Sequence, residues 1–313
     1  VPKLAHIYDE PFADSSQIPT LLVSQMARRH VTVSLSGDAG DELFCGYNRY
    51  VITSQMWHRL SFLPTRIRAK IANILLRISP SKWNQCFSLI QSAMPRSMRH
   101  VNIGDKLHKG AEVMTASSIT DLYRGLVSHW RHPASVVLGA SEPPTILDES
   151  GVAPESTGDI ERMMALDMVS YLPDDILCKV DRAAMYHSLE TRVPFLDHSV
   201  VEFALRLPLD YKLRGGVGKW VLREVLYKYV PRSLIERPKM GFGVPIDVWL
   251  RGPLRDWAEA LLDENRLRQE GFFDPLPIRK KWSEHLTGQR NWQYHLWDVL
   301  MFQEWINEKN KAV

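Results

Sequence analysis

The chain has 313 residues, of which 45% are hydrophobic and 24% are charged, and its formal net charge is +3. This length and composition are typical of a globular protein of about two domains, and the small net charge argues against a nucleic-acid-binding protein. No apolar run approaches the ~20 residues of a membrane span, so we expect no membrane partner. Three widely spaced cysteines, without zinc-site spacing, predict reduced thiols in a cytoplasmic protein.

The first sixty residues have the pattern of an α/β segment. An amphipathic helix is predicted over residues 18–30, an alternating strand over residues 31–36, and a further helix from near Asp41, after an acidic turn. We find no second convincing strand in the chain. Because a single parallel strand leaves backbone groups unpaired, either its partners lie outside these residues or the strand prediction is wrong.

Helical patterns dominate from residue 64 onward. Residues 64–79 set basic side chains opposite a stripe of apolar ones, namely Ile67, Ile71, Ile74, Leu75 and Ile78. The stripe predicts a core-facing helix, although a basic amphipathic helix could also lie on a membrane surface. Residues 133–158 are rich in Pro, Ser, Gly and Glu, and they predict a loop between two helical regions.

Three successive helices are predicted over residues 158–172, 173–190 and 194–207, with Pro173 and Pro194 in first turns. Another helix follows at residues 218–230. The last helix, at residues 292–309, is apolar over much of its circumference, which indicates a role in core packing.

The turn at residues 36–42, SGDAGDE, combines two glycines with three carboxylates. Glycines and a helix N-terminus favour a bound phosphate, and the carboxylates are compatible with it if Mg²⁺ lies between them, with Asp41 or Asp38 as ligand. The alternative is an Asp/Gly-rich turn whose acids cap the next helix. RGGVGKW, at residues 214–220, lacks the Ser or Thr that a Walker A loop needs after Lys219.

Two further segments carry charges that could serve chemistry. Residues 172–197 alternate in sign as an exposed helix face does, yet the sequence Ala183-Ala184-Met185 predicts close packing that would bury part of this face. Lys239 lies in a loop, two residues before the first of two glycines. A lysine there either reaches into a phosphate site or is an ordinary surface residue.

Three motifs occur in a fixed order: SLSGDAGDELFCGYNRY at residues 34–50, DDILCKVDRAAMYHSLETRVPFLDH at 174–198 and RPKMGFGVPIDVWL at 237–250. Together they resemble the synthetase domain of the glutamine-hydrolysing asparagine synthetase family. The resemblance implies an α/β, mostly helical fold. Residues 1–60 would be the C-terminal part of an ATP-pyrophosphatase core with an incomplete parallel sheet, residues 61–150 a helical insertion, and residues 151–313 a helical region that completes the site.

The resemblance also implies a reaction that uses ATP and Mg²⁺. The side-chain carboxylate of aspartate, or a related carboxylate, would become an acyl-adenylate, and ammonia from an upstream glutaminase domain would convert it into the amide. By resemblance, Ser36 and Gly37 would contact ATP, Asp41 would hold Mg²⁺, Asp38 would serve adenylation or the deprotonation of ammonia, and Lys239 would stabilise developing negative charge. Asp175 and Lys179 are candidate catalytic or substrate-binding residues, and Asp181 is a candidate cofactor-binding residue.

Two departures and two absences accompany this resemblance. Ala39 stands where a glycine is expected, and Cys45 where glycine or alanine is expected. The pyrophosphate loop SGGxDS and the glutaminase domain do not occur in these residues, and the first residue is not Met. We therefore expect the 313 residues to be a C-terminal fragment that is inactive by itself.

Three alternatives stay open from the sequence. The acceptor could be a sugar acid or another carboxylate instead of aspartate. The chain could be a non-catalytic helical interaction module, although the presence of Asp38, Asp41 and Lys239 argues against this. A Mg²⁺-dependent phosphohydrolase would require further acidic loops, which we do not find. A homodimer is left open.

Overall fold

The computed structural model describes residues 1–90, 103–148, 157–236 and 243–311. The chain folds into two compact units, each assembled from separate stretches of sequence. Unit 1 comprises Val1–Glu10, Asp14–Gln55 and Pro144–Val244, and unit 2 comprises Pro11–Ala13, Met56–Pro143 and Pro245–Val313. The expected division into three consecutive segments stays a prediction.

The described elements are mostly helical, so the predicted fold class is confirmed. In the first half of the chain they are α1 (Leu4–Ile7), α2 (Gln17–Arg28), β1 (Val33–Leu35), α3 (Gly40–Leu43), α4 (Asn48–Leu60), α5 (Thr65–Arg77), α6 (Pro80–Ile90), α7 (Ile103–Val113) and α8 (Ile119–Val127). The second half contains α9 (Asp159–Val169), α10 (Cys178–Tyr186), β2 (Glu190–Arg192), α11 (His198–Arg206), α12 (Leu209–Lys212), β3 (Leu213–Arg214), β4 (Val217–Gly218), α13 (Trp220–Leu226), α14 (Arg232–Ile235), α15 (Ile246–Arg251), α16 (Arg255–Leu261), α17 (Glu264–Glu270), α18 (Pro275–Leu286) and α19 (Gln293–Lys311). Shorter segments are the 3₁₀ turns Pro133–Ser135, Ile146–Asp148 and Pro194–Leu196 and the π-helical segment Leu172–Leu177.

The predicted strand is confirmed as β1, but the expectation of a single strand is wrong. β1 pairs in parallel with β2, with Val33 opposite Glu190 and Leu35 opposite Arg192. The partner was missed because β2 is only three residues long, Glu-Thr-Arg, and carries no apolar alternation. The helix predicted to reach residue 190 ends at Tyr186 instead.

The core of unit 1 joins the acidic turn to the middle motif. Its buried members are Ala39, Leu43, Phe44, Leu172, Ile176 and Ala204. The first three follow β1, and the next two belong to the π-helical segment. Burial of this shared apolar surface therefore holds the two motifs together, although more than 120 residues of sequence separate them. Close packing after the charges of α10 is confirmed for the two alanines, whereas Met185 is 57% exposed.

The prediction that α5 turns its apolar stripe toward the core is wrong for three of the five members, whereas Leu75 and Ile78 are half-buried. Ile67, Ile71 and Ile74 are 46%, 36% and 60% exposed, whereas Arg68 and Ala72 on another face are buried. Arg68 is accommodated because its guanidinium donates to the backbone oxygens of Leu63, Met114 and Ala116 and to the Thr65 hydroxyl. A guanidinium that donates four hydrogen bonds thus takes the inward position that the pattern assigned to isoleucine.

The prediction for the last helix is confirmed. Buried α19 side chains in unit 2 include Leu296, Trp297, Val299, Leu300 and Met301. The three cysteines are free thiols, as expected. In the parts of the chain that the structure describes, none of the helices has the length and apolar character required to cross a membrane.

Candidate active site

The acidic turn begins directly where β1 ends. The Ser36 amide donates to the backbone oxygen of Arg192 at 2.8 Å, which extends the ladder by one residue. The Ser36 hydroxyl then donates to the carboxylate of Asp38. This bond fixes Asp38 beside the carboxyl end of a parallel strand, which is where sheets of this kind bind ligands.

Two residues of the turn adopt the left-handed conformation without being glycine. Ala39 has φ 65° and Cys45 has φ 56°, and both side chains are almost completely buried. A left-handed backbone favours glycine because any Cβ is strained there, and burial restricts the side chain to a small one. The structure therefore gives a physical reason why glycine or a small residue is expected at each position.

Asp41 is held by a lysine that sequence reasoning did not select. The Lys219 ammonium lies 2.9 Å from the Asp41 carboxylate. Gly46 leaves room for this pair, because a Cβ there would lie 2.1 Å from Asp41 Oδ1 and 2.3 Å from Lys219 Cε. The ion pair thus fixes the Asp41 carboxylate in the N-terminal turn of α3.

The segment that carries Lys219 is docked on the turn by its backbone. The Lys219 amide donates to the Phe44 oxygen at 2.8 Å, and a Cβ on Gly218 would lie only 2.0 Å from the Cys45 oxygen. The β3–β4 hairpin that precedes Lys219 closes through two glycines of positive φ, Gly215 and Gly216. The motif RGGVGKW therefore fits the turn closely although it is not a Walker A loop.

An arginine between two tyrosines links α4 to α9. The Arg49 guanidinium lies 4.3 Å from the ring centre of Tyr47 and 4.5 Å from that of Tyr171. It also donates to the buried Asp167 carboxylate at 2.5 Å, and the Tyr50 hydroxyl donates to the same carboxylate at 2.6 Å. Stacking and a charged hydrogen bond together fix the arginine.

Glu42, the third acid of the turn, adjoins the cluster of Tyr47, Arg49, Tyr50 and Asp167, which we call the arginine cluster. Glu42 is 1% exposed and accepts a hydrogen bond from the Tyr47 hydroxyl at 2.9 Å. Burial raises the pKa of Glu42 above its ordinary value. Glu42 is therefore buried and hydrogen-bonded, whereas Asp38 and Asp41, which pair with Ser36 and Lys219, are half-buried.

Two carboxylates share one buried lysine in the middle motif. Lys179 Nζ lies 2.5 Å from Asp14 and 3.6 Å from Asp175. Burial, and then the charge of Asp14, raises the pKa of Asp175 to about 7. Burial alone would raise the pKa of Asp14, but the ammonium of Lys179 and its hydrogen bond lower the pKa of that carboxyl below its ordinary value. The negative charge of Asp14 is thus compensated by Lys179, whereas Asp175 holds its proton near neutral pH.

A π-helical segment gives Asp175 its position. Residues Leu172–Leu177 have this geometry, with Pro173 in the first turn, before α10 continues as an ordinary helix. Such segments are rare and occur frequently at functional sites. Tyr171, immediately before it, has its pKa raised by burial and then by Asp175 and Asp14, and it also contacts Arg49. The cluster of Lys179, Asp14 and Asp175 therefore adjoins the arginine cluster.

The structure brings together some of the candidate residues. Ser36, Gly37, Asp38 and Asp41 lie on one turn, and Asp175 and Lys179 share one ion-pair cluster. Asp181 is exposed on α10, and Lys239 lies outside the described residues. The residues that sequence reasoning missed are Asp14, Glu42 as a buried acid, Arg49, Asp167 and Lys219. Glu42, Arg49 and Lys219 belonged to segments that had drawn notice, whereas Asp14 and Asp167 had no local signal.

The comparison with known proteins decides the family. The model of the family described as asparagine synthase matches residues 1–307. The chain belongs to the asparagine synthase family. It is 30% identical over 309 residues to a putative glutamine-hydrolysing asparagine synthetase of Mycobacterium tuberculosis. It is 29% identical over 314 residues to glutamine-hydrolysing asparagine synthetase 1 of Bacillus subtilis.

The extent of these similarities differs between relatives. Each of these two alignments covers 97% of this asparagine synthase family chain, but the chain spans only 44% and 45% of the two relatives. A mouse glutamine-hydrolysing asparagine synthetase is 30% identical over 153 residues, which is 42% of this chain and 26% of that protein. Resemblance to this family was the prediction from the three motifs, and it is confirmed.

Proposed function

We propose that this chain supplies part of the carboxylate-activating site of an ATP-dependent amide-forming ligase, with the side-chain carboxylate of aspartate as acceptor. The observation that carries the proposal is the turn after β1. There Asp38 is fixed by Ser36, and Asp41 is held by Lys219, both just after the carboxyl end of a parallel strand. Membership of the asparagine synthase family supports the same reaction.

The proposed reaction has two steps. A carboxylate oxygen attacks the α-phosphorus of ATP and pyrophosphate leaves, which gives an acyl-adenylate. Ammonia then attacks the acyl carbon, loses a proton, and expels AMP together with the attacking carboxylate oxygen. Ser36 and Gly37 would hold the nucleotide. Asp38, acting as a hydrogen-bond acceptor beside it, would receive the proton that the attacking nitrogen loses.

Asp41 fits a magnesium site of the kind that nucleotides complete. Among the described residues, no group of three or more His, Cys, Asp and Glu side chains converges on a metal position. Mg²⁺ is commonly held by one or two carboxylates plus substrate phosphates and water, so a single oriented aspartate is sufficient. When bound, Mg²⁺ would draw negative charge from the phosphates. By resemblance, Lys239 would do the same.

We propose that residues beyond this chain complete the site. β1 has one neighbouring strand among the described residues, and Leu35 within it is 74% exposed. The matched relatives are more than twice as long as the chain. Further strands beside β1 and a glutaminase that supplies ammonia would then come from outside these residues, and the protein would work in the cytoplasm.

The experiment measures carboxylate-dependent release of pyrophosphate and AMP from ATP by the full-length protein that carries these residues. Aspartate with ammonia should give AMP and pyrophosphate in equal amounts, with no ADP. A panel of sugar acids tests the rival acceptor class. Release of ADP and phosphate, or no carboxylate dependence, would refute the proposal.

Variants connect this activity to the site. Asp41→Asn should abolish pyrophosphate release, whereas Asp210→Asn, which removes an exposed carboxylate of α12, should leave the rate unchanged. Lys239→Ala should slow the reaction by about a hundredfold, as loss of one donor to developing charge does. An unchanged rate in Lys239→Ala would make that residue an ordinary surface lysine, and wild-type turnover by Asp41→Asn would end the metal assignment.

A further inference from the structure

Unit 2 carries an apolar stripe that no described part of the chain covers. The stripe consists of Ile67, Ile71 and Ile74 on α5, at helical spacings of four and three residues, and all three are exposed. Phe62, in the turn before α5, is 75% exposed. Contiguous exposed apolar side chains of this kind mark interaction surfaces in folded proteins. We call the three isoleucines the α5 stripe.

Basic side chains lie beside the α5 stripe. Arg66, Lys70 and Arg77 are exposed and fall at spacings of four and seven residues; the first two stand one position before Ile67 and Ile71, and Arg77 stands one position before the half-buried Ile78. This places them on the adjoining face of the same helix, about 100° around its axis. Long basic side chains can lay their methylenes along an apolar surface and extend their charges beyond it.

The surrounding sequence has charge of one sign. Between Glu42 and Asp105 the chain contains no Asp and no Glu, while the same stretch contains nine Lys and Arg. No carboxylate of that stretch can therefore neutralise the basic face of α5. The small net charge of the whole protein conceals this local excess.

We propose that α5 is a docking surface for an anionic lipid membrane, with the α5 stripe inserted among the lipid chains and its basic face against the headgroups. A single convex helix with isoleucines flanked by arginine and lysine matches the interfacial mode of binding, in which the helix lies parallel to the membrane plane. Charge complementarity selects anionic lipids. The lack of a spanning segment predicted no membrane partner, and the sequence pattern favoured a core-facing α5 over one on a membrane surface; the exposure of the three isoleucines favours the second alternative.

The alternative occupants differ in what they require. An acidic protein would satisfy the basic face, but it would need an apolar groove shaped for the isoleucines. A second copy of the chain would bring two like-charged faces together, which costs free energy. A lipid surface requires no shape match and supplies apolar depth and negative charge together.

The experiment is co-sedimentation of the full-length protein with vesicles of phosphatidylglycerol and phosphatidylcholine, compared with vesicles of phosphatidylcholine alone. Binding should occur to the anionic vesicles and weaken at high salt. The triple variant Arg66→Gln/Lys70→Gln/Arg77→Gln should lower the partition coefficient by about a hundredfold, because each charge near an anionic surface contributes about fivefold. Ile67→Ser/Ile71→Ser/Ile74→Ser should also abolish binding.

Two matched triple variants in unit 2 serve as controls. Removal of the same charge elsewhere, by Arg255→Gln/Arg268→Gln/Lys280→Gln, should retain most of the binding. The same holds for removal of other exposed apolar side chains by Leu138→Ser/Val248→Ser/Leu276→Ser. Far-ultraviolet circular dichroism and thermal unfolding check that each variant folds. Hydrogen exchange of residues 65–77 should slow on the vesicles.

Four outcomes would overturn the proposal. These are absence of wild-type binding to anionic vesicles, equal loss in the control variants, binding that survives loss of the isoleucines, and a dimer in solution that only the isoleucine variant dissociates while vesicles stay unbound. Pyrophosphate release in detergent-free buffer is measured in parallel. Because the α5 variants alter no proposed site residue, unchanged turnover separates this surface from the proposed function.

Discussion

Replacement of Asp175 by Asn should flatten the pH dependence of stability between about pH 4 and about pH 7. Asp175 shares Lys179 with Asp14, and the lysine is closer to Asp14, at 2.5 Å against 3.6 Å. Burial, followed by the charge of Asp14, raises the pKa of Asp175 from 3.8 to about 7. The folded protein therefore holds a proton on Asp175 over a pH range in which the unfolded chain has lost it.

The sign and the magnitude follow from this difference. Below a pH of about 4 the carboxyl is protonated in both states, and as pH rises toward 7 only the unfolded state gains from ionisation, so the free energy of unfolding falls. The full difference of about 3 pKa units corresponds to about 4 kcal/mol. Since the side chain is 31% exposed, we halve this and expect Asp175 to account for a loss of about 2 kcal/mol.

Urea denaturation across this pH range provides the measurement. Wild type should lose about 2 kcal/mol more than Asp175→Asn between about pH 4 and about pH 7, with unchanged m-values. The control is Asp174→Asn, which removes the preceding, exposed carboxylate and should follow the wild-type curve. Equal slopes for wild type and Asp175→Asn would refute the assignment of a proton to Asp175.

Three further predictions concern buried contacts. Arg68→Met should lower the free energy of unfolding by about 3 kcal/mol, because three backbone oxygens lose a charged donor; Arg66→Met, at an exposed position, should change it by less than about 0.5 kcal/mol. Arg49→Lys should lower the free energy of unfolding by about 1 to 2 kcal/mol, because lysine cannot stack between two rings as guanidinium does. A smaller loss in urea denaturation would contradict a stabilising role for this stacking. Gly46→Ala should displace the pair of Asp41 and Lys219 and reduce pyrophosphate release at least about tenfold, whereas Gly110→Ala, with nothing near its Cβ, should have wild-type activity.

Local sequence patterns were sufficient to predict the strand β1, the turn that follows it and several helices. β1 alternates apolar and polar residues, and α2 was predicted over residues 18–30 and lies at Gln17–Arg28. Both patterns arise within one element, so neighbours in sequence determine them. The acidic turn was recognised for the same reason, because its glycines and carboxylates are contiguous.

Contacts between distant residues could not be predicted in this way. Lys219 and Asp41 lie 178 positions apart, and Lys179 and Asp14 lie 165 apart, so nothing local marks either pair. The apolar periodicity of α5 correctly grouped Ile67, Ile71 and Ile74 on one stripe. It could not reveal that a neighbouring stripe faces inward, because that depends on backbone oxygens elsewhere in unit 2 that accept from a buried arginine.

The central claim is that this site activates a carboxylate by adenylation, and transfer of ¹⁸O tests it most directly. Aspartate labelled with ¹⁸O in its side-chain carboxylate is supplied to the full-length protein with ATP, Mg²⁺ and ammonia, and the products are analysed by mass spectrometry. Attack on the α-phosphorus predicts one labelled oxygen in AMP and none in pyrophosphate. Label in inorganic phosphate, or AMP without label, would contradict the account.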